Sequence, residues 1–172
     1  MDNKGYLQVY TGDGKGKTTA AFGLALRALC AGKKVYIGQF VKSMKYNETK
    51  IDQYFDTIKI EQLGRGCFIK EDPEQIDIDM AKQGLVHCAE LMTQGSYDVV
   101  ILDEVTIALY YKLFTVEELI EAIQNRKPSV EVIVTGRYAP DELLSIADLV
   151  TEMKEIKHYY SQGVLSRNGI DK

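Results

Sequence analysis

Nine residues, TGDGKGKTT at positions 11–19, constrain this chain more than any other stretch. They follow the apolar run Tyr6-Leu-Gln-Val-Tyr10 and lead into Ala20-Ala-Phe-Gly-Leu-Ala-Leu-Arg-Ala-Leu-Cys30. Strand, glycine-rich turn, Gly-Lys-Thr, helix is the order of a phosphate-binding loop. Phosphate oxygens need several backbone N–H donors at close range. Gly12, Gly14 and Gly16 let the backbone come that near, and the helix start adds partial positive charge. Lys17 supplies a cation for the phosphates and Thr18 a hydroxyl for Mg²⁺. The spacing is shifted, however. The pattern G-x-x-x-x-G-K-[ST] requires glycine at position 11, where Thr11 stands, and glycine arrives at Gly12. A glycine-rich hairpin with stray lysines is the competing reading; a strand before and a helix after argue against it.

A chain of 172 residues is long enough to bury a core and reads most simply as one domain spanning 1–172. A formal net charge of −4 disfavours a general nucleic-acid partner. Cys30, Cys67 and Cys88 are odd in number and widely spaced, which supports neither a disulfide framework nor a zinc knuckle and fits a reducing, cytoplasmic setting. The N-terminus carries no apolar signal region. The most apolar stretch, Ala20 to Ala31, is short and interrupted by Arg27, so no membrane span is expected.

Apolar patterning predicts strands over 6–10, 34–41, 58–63, 97–102, 130–135 and 149–153. Helices are expected from about Lys17 to Ala31, Glu74 to Gln94, Thr115 (as N-cap) to Asn125 and Pro140 to Ala147, with a short one near Glu48 to Phe55. Alternation of this kind argues for an α/β fold with a mostly parallel sheet flanked by helices. Ligands bind such sheets beyond the carboxyl ends of the strands. Those ends carry the 11–19 loop, Gln39 to Lys42, Asp103-Glu104 and Gly136-Arg137.

Val99-Val-Ile-Leu-Asp-Glu104 reads as a buried strand ending in acids, the form of a Walker B strand. Its carboxylate is expected to reach the Mg²⁺ held by Thr18, and the sequence leaves open whether Asp103 or Glu104 makes that contact. Arg137, at another strand end, is suited to bidentate phosphate binding, with a plain surface arginine as the alternative. Lys42, Lys45, Tyr46 and Glu48 taken alone read as a solvated loop. Tyr159-Tyr160 fit either core packing or closure over a ligand. His87 and His158 form no cluster that would make a metal site. Cys67 and Phe68, after Gly64-Arg-Gly66, read by default as an apolar turn packed on the core.

Together these motifs resemble those of the P-loop-type ATP:corrinoid adenosyltransferases, also called cob(I)yrinic acid a,c-diamide adenosyltransferases. The family loop G-N-G-K-G-K-T-T is Gly12-Asp-Gly-Lys-Gly-Lys-Thr-Thr19 here, continuing as Ala20-Ala-Phe-Gly23. Q-F-x-K is Gln39-Phe-Val-Lys42, V-I-L-D-E is Val100 to Glu104, and T-G-R is Thr135-Gly-Arg137. The closing motif supplies Lys157-His158, Gly163-Val164, Arg167 and Gly169-Ile-Asp171. The resemblance runs in order over nearly the whole chain. It implies a RecA-like P-loop fold and transfer of the 5′-deoxyadenosyl group of ATP to cobalt(I) of a reduced corrinoid, with triphosphate leaving. It further implies that Gly12, Asp13, Gly14, Lys15, Gly16, Lys17, Thr18 and Thr19 bind ATP with Arg137. Lys17 and Arg137 would stabilise the leaving charge, and Thr18 and Glu104 would hold Mg²⁺. An electron-donating reductase and a homodimer are implied as well.

Two departures stand out. Some family members cover the partner's site with a long N-terminal helix, whereas about five residues precede the first strand here. The family's aromatic F-x-W segment, thought to remove cobalt's lower axial ligand, reads Cys67-Phe68-Ile69, and the chain has no Trp. Phe68, helped by Ile69, is the expected substitute. Two rival readings are a P-loop ATPase or nucleoside kinase, and a corrinoid or nucleotide carrier without turnover.

Overall fold

The computed structural model describes residues 4–42, 45–65 and 72–172. From the N-terminal side, strand β1 (Leu7–Thr11) leads through the glycine loop into helix α1 (Lys17–Cys30), then β2 (Val35–Gln39). A 3-10 turn (Asn47–Gln53), β3 (Ile58–Gln62), α2 (Gln75–Gln94) and β4 (Val99–Asp103) follow. The remainder is α3 (Val105–Tyr110), α4 (Val116–Gln124), β5 (Glu131–Thr135), α5 (Asp141–Ile146), β6 (Leu149–Glu152) and a second 3-10 turn (Tyr159–Gln162).

The strands form one sheet in the order β3-β2-β4-β5-β1-β6, parallel at every pairing. The architecture is α/β and consistent with a RecA-like P-loop fold. Side chains alternate across the sheet and sort the core into two layers. Val35, Ile37, Val99, Ile101 and Ile133 meet Ala21, Phe22, Ala25 and Leu29 of α1 on one face. Tyr36, Val100, Leu102, Val132 and Val134 meet Leu85, Cys88 and Met92 of α2, and Leu119 and Ile123 of α4, on the other. All five residues of β4 are buried, which explains its unbroken apolar spelling up to Asp103. Each fully buried aliphatic side chain contributes about 1.5–3 kcal/mol.

Local chemistry sets the helix ends. Thr115 caps α4: its hydroxyl accepts from the Glu118 amide at 3.2 Å, and the Glu118 carboxylate accepts from the Thr115 amide at 2.7 Å. At the start of α2 the Asp77 carboxylate accepts from the Glu74 amide at 2.9 Å. That helix stops at Gly95, in the left-handed region with φ 65°. Helix α3 was not expected from sequence. It springs directly from Glu104, which has φ 60°, and buries Val105, Thr106 and Ala108. No helix among the described residues is long and apolar enough to cross a membrane.

Candidate active site

The parallel sheet delivers Thr11, Gln39, Asp103 and Thr135 to the same edge, because strand order puts β4 between β2 and β5. Asp103 is fully buried there and is the point on which the site is assembled. Its Oδ1 accepts from the Thr18 hydroxyl at 2.9 Å and the Thr135 hydroxyl at 2.7 Å. Its Oδ2 accepts from Gln39 Nε2 at 2.9 Å and Lys42 Nζ at 3.0 Å. Gln39 is fixed in turn by Gln62, whose Nε2 donates to Gln39 Oε1 at 2.8 Å. The Thr135 hydroxyl also accepts from the Glu104 amide at 3.0 Å. Burial would raise the Asp103 carboxyl. The Lys42 ammonium and the donors from Thr135 and Gln39 outweigh it and hold the group below the usual carboxylate range.

Lys42 therefore lies in a buried ion pair rather than in the solvated loop its neighbourhood suggested. Burial lowers its ammonium, but Asp103 and then Glu104 reverse the sign and hold it above its ordinary value. For Glu104 the compensation falls short. Burial, then the Asp103 charge, push it up, although Lys42, Lys17 and Arg137 pull the other way.

The loop itself is shaped by the far end of the chain. The Gly14 amide donates to the Met153 carbonyl at 2.6 Å, and the Met153 amide donates to the Thr11 carbonyl at 2.8 Å. Gly12 sits at φ 97°, and a Cβ there would lie 2.5 Å from the Met153 carbonyl oxygen. The glycine at position 12 is thus required by the neighbouring chain as well as by its own backbone. Lys17, almost fully buried, caps the loop from within, donating to the carbonyls of Gly12 at 2.6 Å and Gly14 at 2.8 Å. Burial pulls its ammonium below the ordinary lysine value; Glu104 opposes and Arg137 assists.

Arg137 reaches the loop across the cleft, with Nη2 donating to the Asp13 carbonyl at 3.3 Å. Its backbone is held by the Thr106 hydroxyl, which donates to the Arg137 carbonyl at 2.7 Å. Gly136, at φ 138°, makes that approach possible, since a Cβ would fall 2.2 Å from Thr106 Oγ1. The opposite wall comes from the C-terminal segment. Lys15 Nζ donates to the Tyr159 hydroxyl at 2.7 Å and pairs with Asp171, to which Tyr159 also donates. Arg167 Nε meets Asp171 at 3.0 Å, and its guanidinium lies 4.8 Å from the Tyr159 ring centre.

These walls enclose a cleft of about 930 Å³ whose lining includes Asp13 to Thr19, Lys42, Glu104, Tyr110, Arg137 and Tyr138. The structure thus lines one cleft with Asp13 to Thr19 of the anticipated loop residues and with Arg137 and Glu104, both anticipated as well, while Gly12 is not among its lining. Cys67, Phe68 and Ile69 lie outside the described residues. Cys88 is buried in the core, where burial pushes its thiol up to about 12. Sequence reasoning missed Gln39, Thr135 and Lys42 as the cradle of Asp103. Their position at the carboxyl ends of β2 and β5 was the available signal.

A divalent cation fits the donor set. Thr18 gives its hydroxyl hydrogen to Asp103, which leaves its oxygen lone pairs for a metal, and the Glu104 carboxylate lines the same cleft. No cluster of three His, Cys, Asp or Glu is present among the described residues. Few protein oxygens supplemented by phosphate and water are what Mg²⁺ prefers.

The chain matches the family model described as ATP:corrinoid adenosyltransferase BtuR/CobO/CobP over residues 3–171. It is 34% identical to the corrinoid adenosyltransferase of Escherichia coli K12, over 99% of this chain and 87% of that protein. It is 36% identical to the one from a Sinorhizobium species, over 99% and 81%. For the Pseudomonas aeruginosa protein of the same name the identity is 33%, over 99% and 85%.

Proposed function

This chain belongs to the ATP:corrinoid adenosyltransferase family, and from that premise we propose how its residues carry out adenosyl transfer from ATP to a reduced corrinoid. The reaction forms a Co–C bond at ribose C5′. The cobalt(I) electron pair attacks C5′, the C5′–O bond breaks, its electron pair leaves on triphosphate, and cobalt ends formally as cobalt(III). Cobalt(I) is itself a strong nucleophile, so no side-chain base is required. The charge that grows is on the leaving triphosphate, and stabilising it is an electrostatic task.

The residues of the cleft suit that task. Loop amides from Gly12 to Thr19 cradle the triphosphate, with its terminal phosphate deep in the loop. Lys17, withdrawn from solvent, turns from the Gly12 and Gly14 carbonyls to phosphate oxygens. Arg137 neutralises charge from the other side. Asp103 acts through Thr18: both its oxygens already accept two hydrogen bonds each, so it fixes the hydroxyl's direction and leaves Thr18 and Glu104 to hold Mg²⁺. When bound, Mg²⁺ supplies Lewis-acid neutralisation of the triphosphate. The family match over residues 3–171 carries the reading. The resemblance also supports one domain over 1–172, a cytoplasmic homodimer and a reductase that delivers cobalt(I). Sedimentation of the purified protein tests the dimer.

The test of the activity is Mg-ATP with chemically pre-reduced cobalamin. Adenosylcobalamin and triphosphate in equal amounts are expected. ADP or phosphate formed regardless of corrinoid would replace the reading with an ATPase or kinase. Tight binding without turnover would replace it with a carrier.

A further inference from the structure

Two tyrosines at the rim of the cleft have no role in the chemistry above. Tyr110, at the end of α3, and Tyr138, just after Arg137, are 58% and 55% exposed. Their rings stack, with centroids 4.5 Å apart and planes 30° from parallel. Tyr111 backs the pair edge-on, its ring centre 5.5 Å from that of Tyr110. Exposed aromatic side chains normally lie scattered, and a stacked, solvent-facing pair beside a reaction cleft marks a contact surface.

The backbone holds this surface in place at a cost. Tyr138 sits at φ 58°, in the left-handed region that a bulky aromatic residue seldom enters. The conformation follows from Gly136 at φ 138° and from the hydrogen bond between the Thr106 hydroxyl and the Arg137 carbonyl. The same turn that sends the Arg137 guanidinium to the loop therefore sends the Tyr138 ring to Tyr110. Strain of this kind concentrates at functional positions.

We propose that the Tyr110–Tyr138 pair is a docking platform for the face of the corrin ring, a proposal that rests on the adenosyl-transfer reading. Size favours this occupant. A cleft of about 930 Å³ is at the upper end of what encloses a single small ligand, about 300–1,000 Å³, and on the adenosyl-transfer reading ATP takes its loop end. A macrocycle much broader than a nucleotide extends over the rim, where these rings lie. Chemistry favours it too. A corrin is a broad, largely apolar disc edged with amides, and a pair of tyrosines offers a flat apolar face with hydroxyls at its margin. An adenine site would be expected to bury the rings that grip it, whereas these are more than half exposed.

The test is steady-state adenosyl transfer with pre-reduced corrinoid for Tyr110→Ala, Tyr138→Gly and the double variant, with Tyr110→Phe/Tyr138→Phe as the rescue. Both side chains are exposed, and glycine relaxes the φ at position 138, so the fold is retained. The double variant is expected to raise the KM for corrinoid about tenfold, in line with the loss of aromatic stacking, with the KM for ATP unchanged. The double Phe variant should return most of that loss. Wild-type turnover accompanied by an unchanged corrinoid KM in the double variant overturns the platform. A rise in the KM for ATP instead assigns the rings to adenine and also overturns it. Absence of product from the wild-type protein strikes the adenosyl-transfer reading itself, a different failure visible before any variant is made.

Discussion

Replacing Asp103 with Asn tests the assembly of the site most directly. The carboxylate takes four donors, and an amide of the same shape has one oxygen for two of them. If its nitrogen faces Gln39 and Lys42, donors meet donors. Turning the nitrogen toward Thr18 and Thr135 is the better choice, since hydroxyls can rotate, but it reverses the Thr18 hydrogen and takes away the lone pair that faces the cleft. In either orientation Lys42 loses its hydrogen-bonded counter-charge and keeps only the weaker pull of Glu104 and Glu48. Removing one member of a buried ion pair costs about 3–5 kcal/mol, and the Lys42 side chain is 21% exposed, so the lower end, about 3 kcal/mol, is expected. For a chain of this size that corresponds to a fall in Tm of about 6–12 °C. Urea denaturation of the wild type, Asp103→Asn, Lys42→Met and the double variant gives the coupling. Once Lys42 is gone, Asp103→Asn should cost at least about 1.5 kcal/mol less than it does alone. The native carboxyl is held below the usual range, so its contribution is intact above the unfolded value of about 3.9 and is lost as pH falls through the native one. The gap between wild type and Asp103→Asn should accordingly be flat from pH 5 to 8 and close only in acid. Additive costs, or a single variant within 1 kcal/mol of wild type, would refute the ion-pair account.

Lys17→Ala should lower kcat for adenosyl transfer by about 10²–10³, measured by adenosylcobalamin absorbance, because on the proposed mechanism it removes a preorganised cation from the leaving group. Glu104→Gln should stabilise the nucleotide-free protein at pH 8. Burial and Asp103 raise the native carboxyl, so its ionised form is disfavoured above that raised value; the advantage should vanish as pH falls below the unfolded value of about 4.3, followed by Tm against pH. Gly12→Ala should cost more than 1 kcal/mol and weaken nucleotide binding, measured by calorimetry, because its φ of 97° and the Met153 carbonyl both reject a Cβ. Full affinity in that variant would show that the last strand does not shape the loop.

Much of the fold was legible because burial writes itself into composition. The run Val99 to Leu102 is buried on both faces, and Thr115 with Glu118 spells a cap. Helix α3 was illegible for a physical reason. It is six residues long, has no capping side chain and starts from a left-handed Glu104, so neither periodicity nor a start signal marks it. The loop residues were readable since their chemistry is contiguous in sequence. The cradle of Asp103 was not, because Gln39 lies 64 residues away and Thr135 32 residues away. Only the order β2-β4-β5 makes them neighbours, and strand order is a property of the packed sheet. Tyr110 and Tyr138 carry no motif and lie 28 residues apart in sequence, and their stacking appears only in the folded chain, after the Gly136 turn.

The tie between the glycine loop and Met153 has a consequence for biosynthesis. β6 pairs with β1 across most of the sequence, and the Gly14 amide finds its acceptor only after Met153 has arrived. A nascent chain halted before residue 153 would carry every residue of the phosphate loop and still lack the loop's shape. Nucleotide recognition should therefore switch on late in translation, as a signal that the sheet has closed, rather than accompany emergence of the N-terminal motif from the ribosome.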